Sequence, residues 1–278
     1  EVSKKKPLKK KKIKGDTAYI FTLSDWQLGK DDLGVEKTVE RYDKALDRAV
    51  QEVRSLGTID EIYLLSMGDL TEGCYGFYDS QAHNISLNLS QQYHLARRLI
   101  MKTVDTFLPY ANKIILSGVP ANHGEMSRSG KGKVVTSRLD NSDTMHLEIC
   151  EEIMNQNPRY DKVTVSIPEG FHHTLKIKSL TVGFTHGHMH SGGTGPEGKV
   201  MKWWQGQMFG DFPVGDAEIL ITGHFHHPRM MQQGNRTWFQ CPSIDASIDF
   251  TARTGMWSKP GVLTFTIDKD GWDNYKLI

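Results

Sequence analysis

Cysteine is scarce in this sequence: Cys74, Cys150 and Cys241 are the three in 278 residues. Thiols so scattered give no disulfide framework and no paired CxxC of the kind that builds structural zinc sites. A reducing compartment, the cytoplasm, is the expected setting. Apolar runs long enough to cross a bilayer are missing, as is a secretory segment, so no membrane association is expected. Internal repeats are missing too, and no linker splits the chain after residue 15. What remains is an ordinary globular composition, 38% hydrophobic and 24% charged, on a chain long enough to bury a substantial core.

The net charge is close to balance at +1, yet it is unevenly placed. Residues 1–14 carry eight lysines and one glutamate, a local charge of +7, which leaves −6 for residues 15–278. We read 1–14 as a disordered basic arm or linker and 15–278 as one globular domain. A lysine block neutralises phosphates without reading sequence, so nucleic acid is the expected partner of the arm. A solvated tether to another domain is the alternative. The chain opens on Glu1 rather than methionine, so residues upstream are expected, a DNA-binding domain among the candidates. The sequence is silent on oligomeric state.

Thr17 to Leu23 reads as a buried strand. Val35, Val39, Tyr42, Leu46, Ala49, Val50 and Val53 recur at helical spacing, predicting an amphipathic helix over 35–56 that stops at Gly57. Glu61 to Met67 is nearly continuous in apolar residues at its middle, as buried parallel strands are. A long loop over 68–84 follows, then a helix over 87–107 and a strand over 113–117. Residues 124–140 form a glycine-rich basic loop before a helix over 141–155, capped by Asn141 or Ser142. Strands are predicted over 163–167, 174–177 and 180–185, then a flexible loop at 191–198 and a helix around Trp203 and Trp204. Strands over 218–222, 237–241 and 262–267 close the chain. Strand–helix alternation followed by strand-rich sequence predicts an α/β fold of two packed sheets with helices outside.

Twelve histidines are many for this length, and their placement carries the argument. Five apolar runs end in residue types that ligate metals. Phe21-Thr22-Leu23 leads to Asp25 and Gln27, Leu64-Leu65-Ser66-Met67-Gly68 to Asp69, and Ile114-Ile115-Leu116-Ser117 to Asn122 and His123. Val182-Gly183-Phe184-Thr185 leads to His186, and Ile219-Leu220-Ile221-Thr222-Gly223 to His224 and His226. Open α/β sheets build their sites at the carboxyl ends of strands, so these endings predict one centre assembled from five loops. Carboxylate, amide carbonyl and imidazole together suit manganese, iron or zinc. Asp25, Asp69, Asn122, His186, His224 and His226 exceed the three or four protein ligands that one ion takes, so two divalent ions about 3.5–4 Å apart are expected. His123 is the candidate general acid on a leaving alkoxide.

Asp25-x-Gln27, Gly68-Asp69, Asn122-His123, His186-Gly187-His188 and Gly223-His224-x-His226 resemble, in this order, the five motifs of the calcineurin-like metallophosphoesterase superfamily. With Glu72-Gly73 and Gly124-Glu125 included, the pattern is similar to bacterial and phage-encoded members, acting in the host cytoplasm. Ser24-Asp25-Trp26-Gln27-Leu28-Gly29 is similar to the start of SbcD-type DNA exonucleases. The resemblance implies a β-sandwich of two mixed sheets flanked by helices, α/β/β/α. It implies Asp25, Asp69 and His226 on a first ion, with Asp69 bridging, and Asn122, His186 and His224 on a second. Manganese is the favoured ion, with iron, zinc, nickel and magnesium as alternatives. Two positions depart from the motifs. Gln27 stands where the superfamily has histidine, a weaker ligand through its amide carbonyl, and Ala121 stands where a glycine precedes Asn122.

Around this set, Arg128, His188 and Trp26 are candidate substrate contacts, the arginine for phosphate and the tryptophan for stacking on a base. Lys131 and Lys133 share the loop of Arg128, and Tyr75, Phe77 and Tyr78 are further aromatics near the second motif. Glu72 and Glu125 are expected to orient ligands or the loops that carry them. His83, His94, His146, His172 and His173 read as core or surface residues, and His227, before Pro228, as structural. The expected function is metal-dependent hydrolysis of a phosphodiester in nucleic acid. A phosphomonoesterase or cyclic-nucleotide phosphodiesterase is the alternative within that chemistry, and a binding scaffold that kept only the fold is the alternative outside it.

Overall fold

A computed structural model describes residues 15–57, 59–129, 133–248, 251–252, 255 and 257–278. The basic arm, 1–14, and Lys131 lie outside the described residues. The chain alternates β1 (Thr17–Ser24), α1 (Val35–Leu56), β2 (Ile59–Gly68), α2 (Leu89–Phe107), β3 (Lys113–Gly118), α3 (Ser142–Asn155) and β4 (Val163–Ser166). It then runs through β5 (His172–Ile177), β6 (Leu180–Thr185), α4 (Gly195–Phe209), β7 (Ile219–Thr222), β8 (Arg229–Gln233), β9 (Arg236–Gln240), β10 (Leu263–Ile267) and β11 (Trp272–Leu277).

Two mixed sheets result, six strands in the order β11-β10-β1-β2-β3-β4 and five in the order β5-β6-β7-β9-β8. β1 to β4 are parallel, and β10 joins β1 antiparallel with Ala18 opposite Ile267. β6, β7 and β9 are parallel in the second sheet, with antiparallel strands at both edges. Alternation along β1 explains the layering: Ala18 and Ile20 face the second sheet, while Tyr19, Phe21 and Leu23 face the helices. Between the sheets they meet Leu65, Met67, Phe184, Ile221, Phe239 and Phe265, all fully buried. Outside the first sheet, α1 and α2 cover the other face with Tyr42, Leu46, Ile100 and Phe107. Outside the second, Val200 and Trp204 of α4 pack on Leu220 and Trp238. Each such aromatic or aliphatic side chain taken from water contributes about 1.5–3 kcal/mol. The predicted α/β/β/α sandwich is the observed one.

Helix ends follow local chemistry. Gly57 closes α1 at φ 84°, a left-handed value that suits glycine. Asn88 and Gln91 form a reciprocal cap at the start of α2, each side chain accepting from the other's backbone N–H at 3.0 Å. Three expectations are corrected. α4 begins at Gly195, so 195–198 are helical rather than loop; Pro196 in the first turn sets φ for a helix that glycines otherwise disfavour. β8 and β11 were not expected; both are edge strands with mostly exposed polar residues and no apolar run to announce them. α2 starts at Leu89, two residues later than predicted, where the Asn88 cap fixes it.

Candidate metal centre

The parallel strands of each sheet end at a common edge, and the loops there carry the candidate ligands. Asp25, Asp69 and Asn122 follow β1, β2 and β3; His186 follows β6, and His224 and His226 follow β7. The first sheet thus supplies oxygen donors and the second supplies nitrogen. The backbone at these positions is unusual. Among the described residues eight non-glycines have left-handed φ, and five are at this centre: Asp25 (50°), Gln27 (44°), Asp69 (52°), His224 (68°) and His226 (60°). Each costs on the order of 1–3 kcal/mol, and such strain persists only where surrounding contacts enforce it. Here Asp25 N–H donates to Gly68 O and Gln27 N–H to Asp69 O, both at 3.0 Å, and Ser243 Oγ donates to the Asp25 carbonyl at 2.7 Å.

Close packing leaves two glycines no choice. A Cβ on Gly68 would lie 2.3 Å from Ala121 Cβ, and one on Gly223 would lie 2.8 Å from Asp25 Oδ2. Asp143, in the first turn of α3, accepts from Asp69 N–H at 3.1 Å and Leu70 N–H at 3.0 Å. Burial and the Asp69 charge push the Asp143 carboxyl up to about 7.

One half of the centre gathers around His186, which is fully buried. Its Nδ1 lies 2.7 Å from the Met67 carbonyl and so carries the proton. Its Nε2 then faces two further acceptors, Asn122 Oδ1 at 2.9 Å and Asp69 Oδ2 at 3.1 Å. His224 completes the group: a ligand atom from each of Asp69, His186 and His224 lies within 4.8 Å of the others. Three lone pairs converging in a buried pocket call for a positive charge between them. With protons alone, burial opposes a charged ring, yet Asp69 and Asp25 hold His186 up at about 9. Burial also opposes the ionised Asp69, but the His186, His123 and His224 rings hold its carboxyl well below the usual range. His224 stays neutral, pushed down to about 3 by burial and by His186. A divalent ion fits this donor set of carboxylate, amide oxygen and neutral imidazole.

The other half centres on Asp25 and His226, with His226 Nε2 3.2 Å from Asp25 Oδ1. His224 N–H and Ser24 Oγ donate to the Asp25 carboxylate. Burial would raise its pKa, but His226 and His186 hold it below the carboxylate range. Gln27 approaches the same imidazole, its Nε2 3.3 Å from His226 Nε2, while its Oε1 accepts from Lys30 Nζ at 3.3 Å. Lys30 also pairs with Asp245 at 2.7 Å. Lys30, Asp143, Ser243 and Asp245 were missed in the sequence. Ser243 and Asp245 belong to a sixth loop, after β9, which runs parallel beside β7.

His123 stands beside the His186 half of the centre. Its N–H donates to Asp69 Oδ1 at 2.8 Å, and its Nδ1 lies 2.7 Å from the Glu72 carbonyl. Nδ1 therefore carries a proton and Nε2 is the nitrogen that can exchange one. Glu72, fully buried, takes a hydrogen bond from Tyr78 Oη at 2.8 Å and keeps its Oε2 3.5 Å from His123 Nδ1. It orients the histidine. Glu125 pairs with Arg128 and with Arg138, the latter at 2.6 Å, and so fastens the loop that follows Asn122.

Arg128 lays its guanidinium over Phe77, Cζ 4.0 Å from the ring centroid, and donates to Gly76 O at 3.2 Å. His188 lies beside His186 and His224, ring centroids 5.4 and 6.3 Å away. Both its ring nitrogens are buried without a hydrogen-bond partner among the described residues. Burial and His186 push it down to about 2, so it stands neutral at the edge of the centre. Trp26 is corrected. It is 1% exposed and packs against Tyr42 at 4.6 Å, so it presents no face to a base.

No protein-family model and no curated protein sequence matches the chain. Among solved structures it is similar to a novel archaeal phosphodiesterase, at 11% identity and a TM-score of 0.39 over 94% of this chain and 99% of that one. It is similar to a hypothetical protein of Pyrococcus horikoshii, at 13% identity and a TM-score of 0.45 over 94% and 87% of the two chains. It is also similar to Vps29 of Entamoeba histolytica complexed with zinc, at 12% identity and a TM-score of 0.37 over 89% and 84%. The assignment of the fold rests on the two mixed sheets and their covering helices, and no described helix is long and apolar enough to cross a membrane.

Proposed function

We propose that this chain is a metal-dependent phosphoric ester hydrolase of the calcineurin-like kind, acting on phosphodiesters, with nucleic acid as the favoured substrate. The observation that carries the reading is the convergence of His186 Nε2, Asp69 Oδ2 and Asn122 Oδ1 beside a histidine whose Nδ1 is already committed. Asp69, Asn122, His186 and His224 would hold one ion, and Asp25, His226 and a shared Asp69 a second. A divalent ion so held supplies Lewis acidity toward a phosphoryl oxygen and a water molecule. The chain's own part is positional. Glu72 fixes the His123 ring, and His123 Nε2 delivers a proton to the departing alkoxide, an effect typically of about 10²–10⁴ in rate. The SbcD-like and phage-like character, the choice of manganese, and phosphate contact by the lysines of 1–14 belong to the same proposal.

The test is hydrolysis of bis(p-nitrophenyl) phosphate with added manganese by the wild type, His123→Ala and Asp69→Ala, followed by single- and double-stranded DNA. Manganese-dependent turnover lost in both variants is expected, together with little activity on p-nitrophenyl phosphate. Preference for the monoester would overturn the substrate class. No turnover on any ester and no bound metal would favour the scaffold reading, which draws on the engagement of the Gln27 amide oxygen by Lys30, whereas bound metal without turnover would mean a narrower substrate.

A further inference from the structure

The two halves of the centre are not equally equipped. Around His186, carboxylate, amide oxygen and imidazole converge, and Asp69, His186 and His224 form the one group of ligand atoms close enough to grip an ion among the described residues. Around His226 the corresponding amide oxygen is turned away. Gln27 Oε1 points to Lys30 Nζ, 3.3 Å off, and its NH₂ faces His226. This orientation gives the Gln27 oxygen a donor, whereas the opposite one would set the amide NH₂ against an ammonium, which is donor-only. Lys30 is itself fixed, paired to Asp245 at 2.7 Å with side-chain exposures of 15% and 6%. The half-site is left with Asp25, His226 and a shared Asp69, and with an ammonium one residue away.

We propose that Lys30, anchored by Asp245, makes the metal centre unequal: it withholds the Gln27 oxygen from the Asp25–His226 half and stands there as a fixed positive charge. The chain then binds one divalent ion tightly through Asp69, Asn122, His186 and His224, and a second only weakly. Like charge raises the cost of a second cation, and the loss of a donor removes part of what would offset it. The inference rests on the metal-centre reading above and concerns how that centre fills. It also gives Lys30 a role toward substrate, since an ammonium left beside a half-filled centre binds a phosphoryl oxygen as a point charge.

Metal content decides it without any appeal to activity. The wild type is loaded with manganese, dialysed, and measured by inductively coupled plasma mass spectrometry, with stepwise affinities from titration followed by manganese electron paramagnetic resonance. One retained equivalent is expected, with a second site about 100-fold weaker, the upper end of what altered surroundings cost a metal site. Lys30→Met alone would strand the buried Asp245, so it is paired with Asp245→Asn, and Gln27→His serves as an independent variant that keeps both partners. Each should tighten the second site about 10-fold or more and give the broadened signal of coupled ions, with melting curves confirming the fold. Two wild-type sites within about threefold of each other would overturn the inference and leave the metal centre standing. So would a second site that stays weak in both variants. A wild type that binds no ion would remove the metal centre and this inference together.

Discussion

The ring of His123 lies flat on that of Phe77, centroids 4.2 Å apart and 5° from parallel. Arg128 also packs over Phe77, its Cζ 4.0 Å from the centroid and its guanidinium held by Glu125. A phenyl ring itself packed by a cation thus sets the plane of the proposed acid, while the Glu72 carbonyl sets its rotation.

Replacing Phe77 with leucine keeps the apolar contact and removes the flat one. An aromatic pair contributes about 0.5–1.5 kcal/mol beyond its area, so kcat should fall roughly 3–10-fold as the ring gains freedom. KM should move little. A change confined to KM would place Phe77 in substrate binding instead.

Asp143 is the acceptor for two buried N–H groups, those of Asp69 and Leu70. Asp143→Ala leaves both unsatisfied at about 1–3 kcal/mol each, and Asp143→Asn keeps one acceptor. Urea unfolding should rank the proteins wild type, Asn, Ala, and metal affinity should fall about 10–100-fold in the alanine variant as Asp69 loosens. Equal metal affinity in all three would show that Asp143 supports the fold alone.

Gly68 has φ 84° and no room for a methyl group, Ala121 Cβ being 2.3 Å from where it would go. Gly68→Ala should cost about 2–4 kcal/mol from backbone strain and overpacking together. Adding Ala121→Gly removes the clash and not the strain. The double variant should therefore recover part of the loss, and a double-mutant cycle in guanidinium measures how much.

His146 is 1% exposed, sits edge-on to Tyr93 at 5.4 Å, and has an Nε2 with no hydrogen-bond partner among the described residues. Burial, helped by Arg97, pushes its pKa down to about 4. An unfolded histidine titrates near about 6.5, so in acid the unfolded chain takes up a proton that the folded chain refuses. The stability this ring contributes is complete above about pH 6.5 and is lost as pH falls through about 4, a change on the order of 3 kcal/mol. His146→Leu should flatten the pH dependence of the urea midpoint across that window. An unaltered acid limb would assign the effect to other groups.

Much of the centre was legible because strand ends and ligand types coincide in one register of the chain. Asp25, Asp69, Asn122, His186, His224 and His226 each follow a buried apolar run, and the structure draws all five loops to one edge. Lys30, Asp143 and Asp245 were not legible, since each acts on a residue brought near only by tertiary folding; Lys30 and Asp245 are 215 positions apart. Trp26 was misread for the same reason. Its burial depends on Tyr42 arriving from α1, which no local pattern announces. β8 and β11 escaped because an edge strand needs no apolar run.

Oxygen donors from one sheet and nitrogen donors from the other give an ion at this centre a mechanical meaning. It would act as a rivet through the sandwich, adding to the hydrogen bonds that already join the layers there, such as those from His186 Nδ1 to the Met67 carbonyl and from His224 N–H to Asp25. Its release would need Asp69 and His186 to part, and so the loops after β2 and β6 to open. Ion exchange into a chelator should then proceed at the pace of that opening and quicken in denaturant well below the unfolding midpoint. The ion's residence time becomes a clock for how often the two halves of the molecule let go of each other.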